Sequence, residues 1–150
     1  MAIVLAGHSN ESVDLAKVMK MVLIHDIVEI DSGDVFVYDT SKSHNNFNEE
    51  LKAAKRIFGI LPEKQAEELL HLWLEFEEMK TPESKFARSL DRLEPLLQNA
   101  SNNGGTWREF DVNYDKVIEK KQVIKEGSEE LWKFAKNLID ESVANGILKK

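Results

Sequence analysis

Residues 21–34 read Met-Val-Leu-Ile-His-Asp-Ile-Val-Glu-Ile-Asp-Ser-Gly-Asp, and the rest of the chain is best read outward from them. Leu15, Val18, Met19, Val22, Leu23, Ile27 and Ile30 recur at helical spacing through this stretch, so they share one broad apolar face of a helix. Ser12 or Asp14 can cap that helix, and Asp31-Ser32-Gly33-Asp34 can end it. A lone His-Asp dipeptide would be most simply a pair at the rim of a core helix. Here His25, Asp26, Glu29, Asp31 and Asp34 fall within ten residues, directly after Met-Val-Leu-Ile. Unpartnered buried charges are costly. A divalent cation would compensate them, and adjacent residues can both reach one ion where a helix faces a cavity.

Helical signals continue in both directions. Met1 to Ala6 reads as the tail of an amphipathic or buried helix stopped by Gly7. Downstream, Val35 to Asn46 is irregular, with Phe36, Val37 and Tyr38 pinning a loop more plausibly than forming a strand. A helix starting near Asn48 turns Leu51, Ala54, Ile57 and Phe58 inward and stops at Gly59. Pro62 stands at the first position of the next, which carries Leu69, Leu70, Trp73, Leu74 and Phe76. Thr81-Pro82 begins another, with Phe86, Leu90, Leu93 and Leu97 as its stripe and Pro95 as a kink or the start of its last turn. Asn99 to Thr106 reads as the clearest loop. A weaker helix over Asn113 to Lys125 precedes a last one from Ser128 to about Asn145, whose face is Leu131, Phe134, Ala135, Leu138, Ile139 and Val143. The expected fold is all-α, one domain over residues 1–150 with about six or seven helices.

Composition narrows the chemistry. The chain has 150 residues, 42% of them hydrophobic and 31% charged, enough to build a core without cross-links. With no cysteine, disulfides, thiolate metal sites and cysteine nucleophiles are excluded, and any metal must be held by His, Asp and Glu. A net charge of −7 argues against a nucleic-acid backbone as partner. It leaves a small phosphorylated substrate open, since a bound cation inverts the local sign. The apolar runs are far shorter than the ~20 residues of a membrane span, and the expected location is cytoplasmic.

A second acid stands out far downstream. Asp91 lies beside the apolar stripe in Lys85-Phe86-Ala87-Arg88-Ser89-Leu90-Asp91-Arg92-Leu93-Glu94. On composition alone it is an exposed acid paired with Lys85, Arg88 or Arg92.

The stretch from Met21 to Asp34 resembles the His-Asp core of the HD-domain phosphohydrolases, in the subgroup that includes HD-domain 5′-deoxynucleotidases. The likeness continues through Glu49-Glu50, Trp73 to Glu78, Thr81 to Ala87 and Leu90 to Asn99. It extends to Trp107 and Ser128-Glu129-Glu130-Leu131-Trp132. The combination of HD, Glu-x-x-x-Gly-Asp and a distant Asp in a helical protein is what makes it specific. The resemblance implies four metal ligands: a His on an earlier helix, the His-Asp pair and a late Asp. His25, Asp26 and Asp91 take three of these places by position. It also implies that Glu29 and Asp34 act around the phosphate, Glu29 as general acid or base, with a divalent Mn, Co, Mg, Zn, Ni or Fe ion as cofactor. Homodimers are common in similar proteins.

The first of the four ligands has no counterpart here, and the chain is expected to be incomplete at its N-terminus. His8 follows the first helix stop, in a His-Ser-Asn-Glu loop several turns too late, since each helical residue adds 1.5 Å; an exposed loop histidine is expected. His44, in a polar loop, and His71, on an amphipathic helix, have no partner at ligand spacing. The function implied is hydrolysis of a nucleotide-like phosphomonoester, a deoxynucleoside 5′-monophosphate. The alternative is a catalytically impaired module that binds metal or nucleotide or serves in assembly. Oxidative di-iron chemistry would need more histidines at ligand spacing.

Overall fold

The computed structural model describes residues 1–38 and 47–150; His44 and the rest of the segment 39–46 lie outside it. A short α1 (Ala2–Leu5) runs into a 3₁₀ turn over Ala6–His8. Gly7 lies inside that turn without a positive φ, so the expected left-handed glycine stop is not formed. The turn's own carbonyl instead takes the Ser9 N–H.

Of the two candidate caps, Asp14 is the one used: its Oδ1 accepts from the Ala16 and Lys17 N–H groups at 2.9 and 3.2 Å. It opens α2 (Leu15–Ile24), which buries Val18, Met21 and Ile24. This helix does not run on to Asp31 in one piece. It tightens to 3₁₀ over His25–Val28 and resumes as α3 (Glu29–Ser32). Tightening advances each residue by about 120° rather than 100°, which re-aims the acids that follow His25. Gly33 ends α3 at φ 79°, with its N–H donating to the Glu29 carbonyl at 2.8 Å. Phe36 then packs edge-on to buried Tyr38 at 5.4 Å and against Phe110 at 4.4 Å, so the part of the aromatic loop described here is pinned as expected.

The helices α4 (Phe47–Phe58) and α5 (Glu63–Glu78) follow. Pro62 sits one position earlier than expected, as the cap of α5, where its carbonyl takes the Gln65 and Ala66 N–H groups. Thr81 caps α6 (Pro82–Ser101) in a reciprocal box with Ser84, satisfying two otherwise orphaned donors.

The largest departure is at the end of α6. The segment Asn99 to Thr106, expected as loop, is helical on both sides of a three-residue turn, with Pro95 staying inside α6 and α7 (Gly105–Glu109) following at once. Asn99 explains it: buried, it donates from Nδ2 to the Pro95 carbonyl at 2.9 Å and accepts from the Thr106 hydroxyl at 3.0 Å. Its polarity serves the helix junction rather than solvent. Gly104 makes the turn at φ 97°.

Asn113 and Ser128 cap α8 (Tyr114–Lys121) and α10 (Glu129–Ala144), with the single-turn α9 (Ile124–Gly127) between them. Six of these segments, α2, α4, α5, α6, α8 and α10, are eight residues or longer, in line with the expected count. Phe134 is a correction: it is 51% exposed. The inward row of α10 is Leu131, Ala135, Ile139 and Ser142, and Phe134 stands a further 100° round the helix from Ala135.

The core forms around α6, which touches α2, α5, α7, α9 and α10. Trp73, Phe76, Phe86 and Trp107 are its largest enclosed side chains. The approach of α9 depends on Gly127, where a Cβ would overlap the Lys85 carbonyl and the Ser89 hydroxyl. Ser89 Oγ donates to the Lys85 and Ile124 carbonyls, each at 2.9 Å. A polar clasp ties the start of α2 to the start of α10. The Asn10 N–H donates to the Gly127 carbonyl at 2.9 Å, Asn10 Nδ2 to the Lys125 carbonyl at 2.9 Å, and the Glu129 N–H to Asn10 Oδ1 at 2.7 Å. Among the described residues no helix is long and apolar enough to cross a membrane.

Candidate functional site

Packing of α2 on α6 brings the two sequence-distant candidates together. His25 Nε2 lies 3.0 Å from Asp26 Oδ1 and 3.3 Å from Asp91 Oδ1. The His25 and Asp91 side chains are 10% and 19% exposed, whereas Asp26 at 65% opens to solvent. His25 Nδ1 lies 3.2 Å from the Val22 carbonyl. That nitrogen therefore carries a proton and donates it, which turns Nε2 towards the carboxylates. The imidazole also leans on Phe76, with ring centroids 4.6 Å apart.

Burial opposes a charged imidazole, but hydrogen bonds from Asp26 and Asp91, reinforced by their charges, outweigh it and raise His25 to about 9. Burial likewise raises Asp91, yet the His25 hydrogen bond and the charges of Arg92 and Arg88 overcome it and hold the carboxyl near about 2. The pair is thus ionised at neutral pH, with a proton on Nε2 shared between two carboxylates. A divalent ion held by this imidazole and the two carboxylates would take the place of that proton, because Nε2 can ligate only through a free lone pair. The Nδ1–carbonyl bond is of the kind that orients a histidine towards a metal ion. Among the described residues no group of three or more His, Asp or Glu side chains is spread about a common ion-sized point; these three contact one another instead.

The cluster lies in the wall of a cavity of about 790 Å³. Glu29 faces the same space from α3. Burial, then the charges of Asp26 and Asp34, push its carboxyl up to about 7. Asp34 is exposed at the cavity rim and touches the cluster only through its field on Glu29. Of the five residues singled out from the sequence, three are in contact and all five line this cavity.

The remaining histidines are elsewhere. His8 Nδ1 pairs with Glu130 at 2.9 Å, and His71 is exposed on α5. Of the three ion partners expected for Asp91, Arg88 and Arg92 are in place, and they are part of the cavity rather than solvated surface. Arg88 donates to Glu77 at 2.9 Å, reaches Asp91 at 3.5 Å and lies 4.0 Å over the Phe76 ring. Arg92 Nε reaches Asp91 at 3.5 Å. Sequence reading passed over Lys121, which is buried in the same wall. The available signal was its register: Val117, Lys121 and Ile124 recur at helical spacing, and all three are buried.

The chain is 44% identical to a predicted metal-dependent phosphohydrolase from Magnetospirillum magnetotacticum MS-1, whose crystal structure superposes with a TM-score of 0.93 over 100% of this chain and 75% of that one. It is 31% identical over 98 residues to the 5′-deoxynucleotidase HDDC2 of Homo sapiens, covering 65% of this chain and 48% of that protein. The corresponding match in Danio rerio is 33% over 87 residues, 58% of this chain and 44% of the relative. The chain thus spans about half the length of the curated relatives it matches. The HD domain family model matches residues 1–132, and the chain belongs to the HD domain family.

Proposed function

We propose that this HD domain, a single unit over residues 1–150, is a metal-dependent phosphohydrolase acting on a deoxynucleoside 5′-monophosphate. The observation that carries the reading is the convergence of His25, Asp26 and Asp91 beside Glu29 in one cavity wall. The names of the relatives, a metal-dependent phosphohydrolase and 5′-deoxynucleotidases, supply the reaction class.

In this reading His25, Asp26 and Asp91 hold a divalent cation, of the Mn, Co, Mg, Zn, Ni or Fe group. When bound, it polarises a phosphoryl oxygen and acidifies the attacking water. The chain's own groups do the rest. Asp91 and Asp26 supply negative charge, and the Val22 carbonyl fixes the His25 tautomer. Glu29, with its carboxyl near about 7, holds or releases a proton at neutral pH. It protonates the departing ester oxygen or takes a proton from the water, worth ~10²–10⁴ in rate. Burial first, then the charges of Asp26 and Asp34, keep Glu29 in that range.

Phosphate release from a panel of nucleotides with added Mn²⁺, Co²⁺ or Mg²⁺ tests this. Silence with every metal and nucleotide sinks the reaction assignment. A second reading, a module that binds without turnover, is favoured by the mutual pairing of the three side chains rather than a spread ligand set. Metal stoichiometry and phosphate release together separate the two: a held ion with no turnover supports the module, and turnover supports the enzyme. We also propose a homodimer, supported by Leu23 and Ile30, which are 74% and 76% exposed near the site.

A further inference from the structure

Beside the acidic cluster the cavity holds cationic groups that this chemistry leaves unused. Lys121, at the end of α8, is 2% exposed and lines the cavity. Among the described residues no carboxylate lies within 4.0 Å of its ammonium, and it donates no hydrogen bond. The neighbouring Lys120 differs, pairing with Glu119 at 3.3 Å. Arg88 is occupied by Glu77, Asp91 and the Phe76 ring. The nearest approach of Arg92 to Asp91 is Nε at 3.5 Å, and among the described residues its guanidinium donates no hydrogen bond. The charges felt at Lys121 are Arg92, which repels it, and Asp91 and Glu94; burial first and Arg92 second pull it down to about 8. Enclosing an ammonium without a counterion is costly. A fold retains one where a ligand supplies the opposite charge.

We propose that Lys121 and Arg92 form an anion subsite that takes the oxygens of a phosphate group, either the phosphoryl group of a monoester or the inorganic phosphate released from it. A dianion satisfies two cations at once. The planar guanidinium offers paired donors to two oxygens, and the ammonium offers three more from a compact charge. Arg92 follows Asp91 in the chain, so the subsite adjoins the metal cluster, and a phosphate held there would meet both. The identity of the ester rests on the phosphohydrolase reading; the affinity for the anion does not.

Isothermal titration of the metal-loaded chain with inorganic phosphate tests the subsite, comparing wild type with Lys121→Met and measuring metal content of both. Phosphate affinity is expected to fall at least tenfold in Lys121→Met with metal content unchanged. Equal phosphate affinity in the two proteins overturns the subsite. Should Lys121→Met fail to fold, trace acetylation of wild type decides: phosphate is expected to protect Lys121, and unchanged labelling overturns the proposal. The substrate arm reads KM in the nucleotide assay, expected to rise with product inhibition by phosphate weakened. Binding of phosphate through Lys121 without turnover of any nucleotide would leave the subsite standing and remove the phosphohydrolase reading. Turnover with the same KM in both proteins would do the reverse.

Discussion

Replacing Glu29 by Gln separates stability from activity at one side chain. The carboxyl is raised to about 7 from 4.5, by burial first and by Asp26 and Asp34 next, so folding favours its neutral form. A group raised in the folded state contributes most below its unfolded value and loses that contribution as pH climbs through the folded one. Wild type is therefore expected to lose stability between pH 4.5 and about 7, while a glutamine, neutral throughout, does not. At about 1.4 kcal/mol per pH unit the bound is about 3 kcal/mol. Water reaching the partly exposed side chain screens this to ~1–2 kcal/mol. For a domain of this size that is a rise in Tm of about 2–8 °C. Differential scanning calorimetry with EDTA, from pH 4 to 8, should show the curves of wild type and Glu29→Gln coinciding at the acid end, separating above about pH 4.5 and running parallel again above about pH 7, the variant being the more stable. In the nucleotide assay the same variant should lose ~10²–10⁴ in kcat. Curves parallel over the whole range, or a variant less stable at pH 8, would refute the reasoning.

Other expected outcomes are more local. Asp91→Asn should remove bound metal, read by elemental analysis after gel filtration; full retention of the ion would exclude Asp91 from the ligand set. Gly127→Ala should cost about 2 kcal/mol or more, because its Cβ collides with backbone at the Lys85 carbonyl; urea denaturation measures it, and a neutral result would contradict the α6–α9 packing. Asn10→Ala loses the clasp's side-chain bonds, an expected ~1–2 kcal/mol by the same method. Light scattering should return twice the 17.2 kDa chain mass; the monomer value would dispose of the dimer.

The parts of this protein that were legible from its sequence are those where local chemistry and tertiary packing agree. Thr81-Pro82 and Ser128 cap helices because the hydroxyl satisfies an N–H three residues further on, whatever surrounds it. Asp91 was singled out by the resemblance to HD-domain phosphohydrolases, and its two arginine partners by their nearness in sequence. What was missed depends on contacts made across the fold. Asn99 reads as a loop residue until Thr106 and the Pro95 carbonyl occupy its amide. Lys121 reads as a solvent-facing lysine, since the apolar register of α8 is short and weak. The 3₁₀ tightening at His25 leaves no compositional trace at all, and periodicity carried the helix straight through it.

The clasp at Asn10 has a consequence for biosynthesis. Its partners stand 115–119 residues further along the chain, and translation at about 5–20 residues per second delays them by roughly 6–24 s. Throughout that interval the segment ahead of α2 lacks these bonds, although Val18, Met21 and Ile24 of α2 gain their cover earlier, from α5 and α6. Asp91 itself emerges 66 residues after His25, so the nascent chain can assemble the cluster before it can lock it. The two halves of the cluster can therefore meet before residues 125–129, which close the clasp, have been made.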